Sequence, residues 1–214
     1  MNIAVVPIKE LWMSKQRLSP VLTPAERACL SLAMFRDVLT ALQRVPSLER
    51  VAVVTRDPEV AREAEELGAE VIPEMGFGVN QALSQALERI QRSDVKLLYV
   101  PADLPCLMPS EVERLIQESF SYDLVLVPDA SGEGTNGLAV HTQDGIQFRL
   151  EGKSLAAHTS EGARRGWRTK VFRLETFSWD VDHPADLVRL WRSGAHTQSF
   201  EWLRRSGLGG FLDF

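Results

Sequence analysis

Residues 96–105 read KLLYVPADLP, a short apolar run followed by an aspartate between two prolines. The run 96–100 predicts a buried strand, because a few consecutive apolar residues bounded by turn residues are typical of the interior of a parallel sheet. Asp103 follows this strand directly, and Pro101 and Pro105 stiffen the turn around it. A carboxylate held in this way can bind a metal ion without a large ordering cost. The alternative is an aspartate that only closes a turn.

Strand-like and helix-like segments alternate on both sides of this stretch. Strands are predicted at residues 3–7, 51–55, 70–72, 96–100, 124–128, 137–141 and 170–172. Helices are predicted at residues 24–44, 58–68, 80–91, 110–118, 154–165 and 184–191. This alternation predicts an α/β fold in three layers, with helices on both faces of a mostly parallel sheet. The polar, Gly-rich interruption after residue 128 indicates that the sheet is mixed.

Several helix starts carry sequence signals. The predicted caps are Thr23 with Pro24 at the first helical position, Asn80, and a capping box of Ser110 with Glu113. Pro184 is predicted to begin the last regular helix, because residues 194–214 show no periodic pattern. We therefore expect one domain over residues 1–214, with 194–214 as a C-terminal extension.

Bulk composition limits the classes of function. The formal net charge of −5 argues against a general nucleic-acid binder, which usually has a basic face. No stretch approaches the ~18 apolar residues of a membrane span. Cys29 and Cys106 have neither metal-site nor disulfide-framework spacing, and the N-terminus has no signal-peptide pattern. We expect a cytoplasmic protein, and the sequence leaves a homodimer open.

Three cations follow the first predicted strand: Lys9, Lys15 and Arg17. The carboxyl ends of parallel strands are where an α/β sheet binds its ligand. Arg offers a forked donor to phosphate oxygens and Lys offers a point charge, so this loop can hold a triphosphate. A basic loop that is merely solvated is the alternative.

A second acidic segment lies far along the chain, at Asp180 and Asp182. Residues two apart in an extended segment share a face, so these carboxylates are expected side by side. They repel each other unless a cation or a proton lies between them. Together with Asp103 they predict a Mg²⁺ site, because Mg²⁺ prefers oxygen ligands and substrate phosphates. A pair of exposed loop aspartates is the alternative.

Two further features fit an anionic ligand only weakly. The loop at residues 132–137 is Gly-rich, and its backbone N–H groups can approach an anion, although any tight turn uses such residues. Ser154 is predicted to open a helix whose N-terminus favours an anion. His158, one turn further on, fits a surface position as well as a ligand-binding one.

Taken together, the motifs resemble the 2-phospho-L-lactate guanylyltransferase family, which is related to the molybdenum-cofactor nucleotidyltransferases. The resemblance is carried, in the family's order, by residues 6–9 (VPIK), 14–18 (SKQRL), 78–83 (GVNQAL), 101–105 (PADLP), 134–136 (GTN) and 180–182 (DVD). It covers about residues 3 to 190. It implies a Rossmann-like nucleotidyltransferase fold that uses GTP, and a product that serves biosynthesis of the deazaflavin coenzyme F420.

The resemblance also implies roles for individual residues. The nucleotide-binding residues are Pro7, Lys9, Lys15, Arg17, Thr55 and Asn80. The residues assigned to catalysis are Asp103, Lys15 and Arg17. The acceptor-binding set is Thr135, Glu151, Gly152 and Ser154. The implied metal is Mg²⁺ on Asp103, Asp180 and Asp182. The implied acceptors are phosphoenolpyruvate, 2-phospho-L-lactate and 3-phospho-D-glycerate.

One departure affects the acceptor side. The family usually has Phe-Gly-x-Gly-Ser before the acceptor-side helix, whereas this chain reads FRLEGKS over residues 148–154, with Glu151 three residues before Ser154. Two alternatives therefore stay open at this point. One is a nucleotidyltransferase for another acceptor, such as a molybdopterin, and the other is a non-catalytic nucleotide-binding module on the same fold.

Overall fold

The computed structural model describes residues 1–76, 78–90 and 95–208. The strands are β1 (Asn2–Pro7), β2 (Arg50–Thr55), β3 (Glu70–Pro73), β4 (Lys96–Tyr99), β5 (Leu124–Pro128), β6 (Thr135–His141) and β7 (Thr169–Val171). The helices are α1 (Pro24–Leu42), α2 (Pro58–Glu66), α3 (Val79–Ile90), α4 (Pro109–Glu118), α5 (Ser154–Arg164), α6 (Pro184–Ser193) and α7 (Gln198–Arg205). None of these helices combines the length and apolar character needed to cross a bilayer.

All seven strands form one sheet in the order β3-β2-β1-β4-β6-β5-β7. β6 runs antiparallel to both β4 and β5, and the other neighbours are parallel. The reversal arises in the turn between β5 and β6, where the side chain of Asp129 accepts hydrogen bonds from the backbone of Gly132 and Glu133. The predicted α/β class with a mixed, mostly parallel sheet is confirmed.

The alternation of each strand divides the core into two layers. Ala4 and Val6 of β1 face α1, α2 and α4, whereas Ile3 and Val5 face α3 and the segment before α5. A third apolar cluster joins α1 to α6 and α7. The sheet is therefore covered on both faces, as its apolar strands require.

Three local predictions about helix ends have clear outcomes. Thr23 and Glu26 form the N-terminal capping box of α1, so the predicted cap at Thr23 is confirmed. The predicted Ser110 capping box is wrong, because Pro109 takes the first helical position and leaves Met108 as the N-cap. Asn80 lies inside α3 rather than before it. Residue 91, the predicted end of that helix, lies outside the described residues.

The expectation that no regular helix follows α6 is also wrong. α7 packs against α1 and α6 with Leu203 fully buried. Asp37 of α1 accepts hydrogen bonds from the backbone N–H groups of Gln198 (2.6 Å) and Ser199 (3.0 Å). Two N–H groups of the first turn of α7 thus donate to a distant carboxylate, a contact that no local pattern reveals, and a third, from Phe200, donates to the N-cap Thr197. Residues 209–214 of the predicted extension lie outside the described residues.

We expect Asp37→Asn to lower the free energy of unfolding by about 1–2 kcal/mol, since an amide accepts with only one atom and carries no charge at a helix N-terminus. Burial raises the pKa of Asp37, and the hydrogen bonds from Ser199 and Gln198 oppose that rise. Denaturant unfolding measures the change. Glu201→Gln on the exposed side of α7, where Glu201 pairs with Arg204, is the matched control and is expected to change little. Equal stability of the two variants would contradict the docking role of Asp37.

Candidate active site

A cavity of about 570 Å³ lies beyond the carboxyl ends of β1 and β4. The chain continues from β1 to β2 on one side, while β4 lies on the other, so the strand order reverses at this point. Ligands of open α/β sheets bind at such a reversal, because the connections on its two sides diverge and leave a crevice. The cavity is large enough for a small-molecule ligand.

The side chain of Lys15 joins two carboxylates in this cavity. Its Nζ lies 2.5 Å from Asp103 Oδ2 and 2.8 Å from Asp182 Oδ1. Arg17 Nη1 lies 3.0 Å from the other oxygen of Asp182. The Lys15 side chain is 8% exposed, whereas that of Arg17 is 66% exposed. Residues 15, 103 and 182, far apart in sequence, therefore meet at one point, and one buried ammonium links them.

Backbone and amide contacts hold the two acidic segments together. The backbone N–H of Val181 donates to the carbonyl of Asp103 at 3.2 Å, and the Val181 side chain is buried in the cluster of α1, α6 and α7. Asn136 at the start of β6 donates from Nδ2 to Asp180 Oδ1 at 2.9 Å. Because β6 is antiparallel to β4, its first residues lie at the carboxyl end of β4, beside Asp103.

The charges of this cluster influence one another. Burial lowers the pKa of Lys15, but the charges of Asp103 and Asp182 outweigh it and the pKa is raised. Burial raises the pKa of Asp180, and the neighbouring charge of Asp103 raises it further. For Asp182 burial acts in the same direction, yet Lys15 and Arg17 hold its pKa below the ordinary value. The site thus has an excess of carboxylates around one buried cation.

Arg27 of α1 stabilises the loop that carries Lys9, Lys15 and Arg17. This buried guanidinium donates to the carbonyl oxygens of Ser14 (3.3 Å) and Leu22 (3.2 Å). Lys15 itself has φ +50°, the only positive φ at a non-glycine residue among the described residues. A left-handed backbone costs about 1 kcal/mol at a residue with a side chain, and such strain clusters at functional sites.

The donor set fits a hard divalent cation. Asp103, Asp180 and Asp182 offer only oxygen, the ligand atom that Mg²⁺ prefers. Asp103 Oδ1 is buried and has no hydrogen-bond partner in the described residues, which leaves one acceptor available. Among those residues no group of three or more His, Cys, Asp or Glu side chains forms a ready-made metal site. The structure instead places Lys15 between Asp103 and Asp182.

The predicted nucleotide-binding residues divide into two groups. Pro7, Lys9, Lys15 and Arg17 line the cavity. Thr55 does not lie on the cavity wall, contrary to expectation, because its side chain is buried and accepts from the backbone of Asp57 at 3.1 Å.

Asn80 is likewise absent from the cavity wall. Its Oδ1 accepts from the backbone N–H of Leu150 at 2.7 Å, so it ties the start of α3 to the segment before α5. Asn80 thereby fixes the position of neighbouring Glu151, which does line the cavity.

Of the predicted acceptor-binding residues, Thr135 and Ser154 are buried in the interior. The hydroxyls of Thr135 and Ser154 are 3.1 Å apart, and both residues are buried. His158 is fully buried beside them, so neither a surface nor a ligand-binding position is observed. The backbone N–H of Arg149 donates to its Nε2 at 3.1 Å, which leaves the proton on Nδ1, 3.3 Å from Thr135 Oγ1. Gly152 is exposed at the turn before α5.

The stability of the fold is expected to depend on the ionisation of His158. Burial lowers its pKa from 6.5 to about 4. Between these values the unfolded chain binds a proton that the folded chain does not, so the free energy of unfolding falls by about 3 kcal/mol as pH is lowered from 6.5 to 4. Unfolding curves of the wild type and His158→Gln over this range measure the effect. The stability difference between them is expected to shrink towards pH 4, and a constant difference would contradict the assignment.

Three residues of the site were not identified from the sequence. Asn136 belongs to a quoted motif, but no role followed from it. Tyr99 is the last residue of β4 and lines the cavity, and burial together with the charges of Asp103, Asp180 and Asp182 raises its pKa. Glu74 lines the cavity just after β3. Its position after a strand is the signal that identified Asp103, and the same criterion would have found it.

Comparisons with known proteins agree on one group. The family model described as "Guanylyl transferase CofC like" matches residues 1–210. The phosphoenolpyruvate guanylyltransferase of Rubrobacter xylanophilus is 39% identical, over 89% of this chain and 94% of its own. The 2-phospho-L-lactate guanylyltransferase of Methanocaldococcus jannaschii is 32% identical, over 95% of this chain and 88% of its own.

A solved structure extends the likeness to the fold. A Desulfovibrio desulfuricans G20 protein assigned as a nucleotide-diphospho-sugar transferase superposes with a TM-score of 0.79 at 16% identity, covering 100% of this chain and 98% of that one. At this level of identity the match bears on architecture alone. It agrees with the expected nucleotidyltransferase-type α/β fold.

Proposed function

Because this chain belongs to the guanylyl transferase CofC-like family, we propose that it transfers GMP from GTP to a small phosphorylated carboxylic acid and releases pyrophosphate. Relatives are named for phosphoenolpyruvate and for 2-phospho-L-lactate, and these two acids are the acceptors in this proposal. The relative with 39% identity is named for phosphoenolpyruvate, so this acid is the first to test. The product is an activated intermediate in biosynthesis of the deazaflavin coenzyme F420, and we place the reaction in the cytoplasm, where these substrates are made.

One observation carries the proposal. Lys15, Asp103 and Asp182 meet at the topological reversal of the sheet, in a cavity that Lys9 and Arg17 also line. Cations suit a triphosphate, and carboxylates suit the metal that accompanies it. Neither a molybdopterin acceptor nor a non-catalytic module has a comparable observation in its favour.

The reaction is an in-line displacement at phosphorus. A phosphate oxygen of the acceptor forms a bond to the α-phosphorus of GTP, and the bond from that phosphorus to the β-phosphate bridging oxygen breaks. Pyrophosphate leaves with the electron pair. The attacking phosphate is already ionised near neutral pH, so a strong general base is not required and no covalent enzyme intermediate forms.

The cations of the first loop bind and orient the phosphates. Lys15 has three N–H donors, and Asp103 and Asp182 take two of them, so the third can meet a phosphate oxygen. Arg17 and Lys9 are more exposed and can follow the triphosphate to the leaving pyrophosphate. These side chains act by position and charge, which are the main contributions of a protein to phosphoryl transfer.

A magnesium ion is part of the proposal. Asp103, Asp180 and Asp182 would hold it, and Asp103 Oδ1 is the acceptor that other contacts leave available. When bound, the ion neutralises phosphate charge and favours in-line attack. Asn136 keeps Asp180 oriented through its amide hydrogen bond.

Glu151 lines the cavity at the proposed acceptor end, and Gly152 follows it in the same loop. Glu151 lines the wall, and an added Cβ on Gly78 would lie 3.9 Å from its Oε1, so the nucleotide and acceptor loops adjoin. Thr135 and Ser154 support this end from within through their mutual hydrogen bond. In this proposal Thr135 and Ser154 fix the loop before α5, and the backbone N–H groups of that loop bind the acceptor.

A direct assay tests the proposal. The protein is incubated with GTP, MgCl₂ and each of phosphoenolpyruvate, 2-phospho-L-lactate and 3-phospho-D-glycerate, and pyrophosphate release is followed. We expect release that depends on GTP, on the metal and on at least one acid. Tight GTP binding without release in the presence of any of the three acids would favour the non-catalytic module.

A further inference from the structure

Glu74 places a carboxylate in the cavity, remote from the metal and phosphate residues. Its side chain is only 7% exposed, and Arg56 Nε lies 3.5 Å from its Oε2. Its backbone N–H donates to the carbonyl of Thr55 at 2.9 Å, which fixes it just beyond the end of β3. The reaction proposed above gives this buried carboxylate no role.

The order of the strands sets how far Glu74 lies from the phosphates. β3 is two positions from β1 and three from β4. Neighbouring strands lie about 4.8 Å apart, so the end of β3 is roughly 10 Å from the end of β1 and roughly 14 Å from that of β4. These are the distances that separate a purine edge from the α-phosphate in an extended nucleotide. The cavity therefore runs from a phosphate end at Lys15 to a base end at Glu74.

The wall between these two ends suits a flat heterocycle. Ile8, Val54, Val79 and Ala82 line the cavity, and the last three belong to one apolar cluster between the sheet and α3. All four side chains are apolar and at least partly buried. Gly78, with φ +87°, brings the backbone close to the cavity at this point. A purine ring can pack on this apolar surface with its polar edge directed at Glu74.

The chemistry of a carboxylate selects among the bases. An ionised carboxylate only accepts hydrogen bonds, and it can accept two side by side. Guanine presents two adjacent donors on its Watson–Crick edge, N1–H and the N2 amino group. Adenine presents a hydrogen-bond acceptor at N1, and this atom would repel the carboxylate because both groups are acceptors. Burial raises the pKa of Glu74, and the charge of Arg56 and its hydrogen bond oppose that rise.

We infer that Glu74 is the residue that selects guanine, by accepting hydrogen bonds from N1–H and the N2 amino group of the bound GTP. This inference rests on the proposed use of GTP. Arg56 is then a positioning residue that orients the carboxylate and, together with a hydrogen bond from the backbone of Gly78, favours its charged form. A buried carboxylate oxygen that faces an acceptor atom of the wrong base rejects that base more strongly than an apolar pocket does.

The test compares GTP with ITP, whose base lacks only the N2 amino group, and with ATP. For the wild type we expect kcat/KM to be about 10–100-fold lower with ITP than with GTP, the usual effect of losing one hydrogen bond to a charged group. For Glu74→Gln we expect the GTP/ITP ratio to fall to within about threefold of unity, with measurable use of ATP, since an amide offers both a donor and an acceptor.

Glu10→Gln is the matched control. Glu10 also faces Arg56, with Oε1 3.9 Å from its Nε, but it does not line the cavity. We expect this variant to keep the wild-type GTP/ITP ratio. An unchanged ratio in Glu74→Gln, or an equal fall in both variants, would overturn the inference.

Two measurements keep the outcome decisive. If Glu74→Gln fails to fold, Glu74→Asp replaces it: withdrawing the carboxylate by one methylene is expected to lower the GTP/ITP ratio, and an unchanged ratio overturns the role of Glu74. Calorimetric binding of GTP, ITP and ATP without acceptor separates this inference from the proposed reaction. Selective GTP binding that depends on Glu74, without pyrophosphate release with any acid, would support the base site while refuting guanylyl transfer.

Discussion

Replacing Asp103 with Asn is expected to lower turnover by about 10²–10³-fold, an effect comparable to removing one preorganised charged or polar group from other active sites. The change keeps the shape of the side chain and removes one anionic oxygen ligand. Asp103 Oδ2 contacts Lys15 at 2.5 Å, and its buried Oδ1 has no partner in the described residues. Asp103 therefore both positions the Lys15 ammonium and offers an oxygen ligand to the proposed metal.

The same substitution is expected to change the free energy of unfolding by no more than about 1 kcal/mol. Lys15 loses part of its attraction to residue 103 but keeps Asp182 at 2.8 Å. The loss is offset because Asp180, whose pKa is raised by burial and then by the charge of Asp103, is relieved of a repulsive neighbour. A large loss of activity without a loss of stability is the signature of a functional carboxylate.

The dependence of activity on Mg²⁺ tests the proposed role of Asp103 in metal binding. Activity is followed as a function of Mg²⁺ concentration, and the variant is expected to need more metal for half-maximal activity. Asp123→Asn is the matched control, since Asp123 also pairs with a cation, Arg168, but precedes β5 at the opposite end of the sheet. Full activity of Asp103→Asn at saturating Mg²⁺ would make Asp103 a turn residue.

The main framework of the fold followed from sequence patterns because each pattern is local. Apolar runs of strand length alternate with helical periods, and Thr23-Pro24 carries the local signature of a helix start. The placement of the Lys15 loop and Asp103 at one edge of the sheet followed from the rule that ligands bind at the carboxyl ends of parallel strands. The rule needs only the positions of these residues after their strands.

The errors arose where a distant residue decides the local structure. α7 is short, and two of its N-terminal N–H groups donate to Asp37, which is 161 residues away from Gln198, although its N-cap Thr197 was a readable local signal. Asn80 was predicted to cap a helix, yet its side chain accepts a hydrogen bond from the backbone of Leu150. Ser110 is different, because Pro109 beside it was a readable signal for the true helix start.

The position of Lys15 could not be predicted for a similar reason. A loop with three cations indicates a phosphate site, but which cation is buried depends on the acidic segment at residues 180–182 folding back onto it. Val181 fixes that segment by a backbone hydrogen bond to Asp103 and by burying its own side chain. Lys15 thereby becomes the buried ammonium, while Arg17 stays exposed.

Replacing Lys15 with Ala is expected to weaken GTP binding by about 100-fold, since truncating one member of a buried, hydrogen-bonded charge pair typically costs this much or more. The ammonium is the buried cation in direct contact with Asp103 and Asp182, so its loss leaves those carboxylates to repel the triphosphate. Calorimetric titration with GTP measures the change. Lys170→Ala, which removes an ammonium paired with Glu118 beside the edge strand β7, is the control and is expected to bind GTP normally.

Lys15→Gly distinguishes the charge from the backbone conformation. Residue 15 has φ +50°, which glycine adopts without the strain that a Cβ imposes, so the glycine variant is expected to be about 1 kcal/mol more stable than the alanine variant. Both variants lack the ammonium, and both should therefore show the same loss of GTP affinity. If affinity returned with glycine, the left-handed turn would be the functional feature at this position. Equal affinity loss at unequal stability would assign the function to the charge of Lys15.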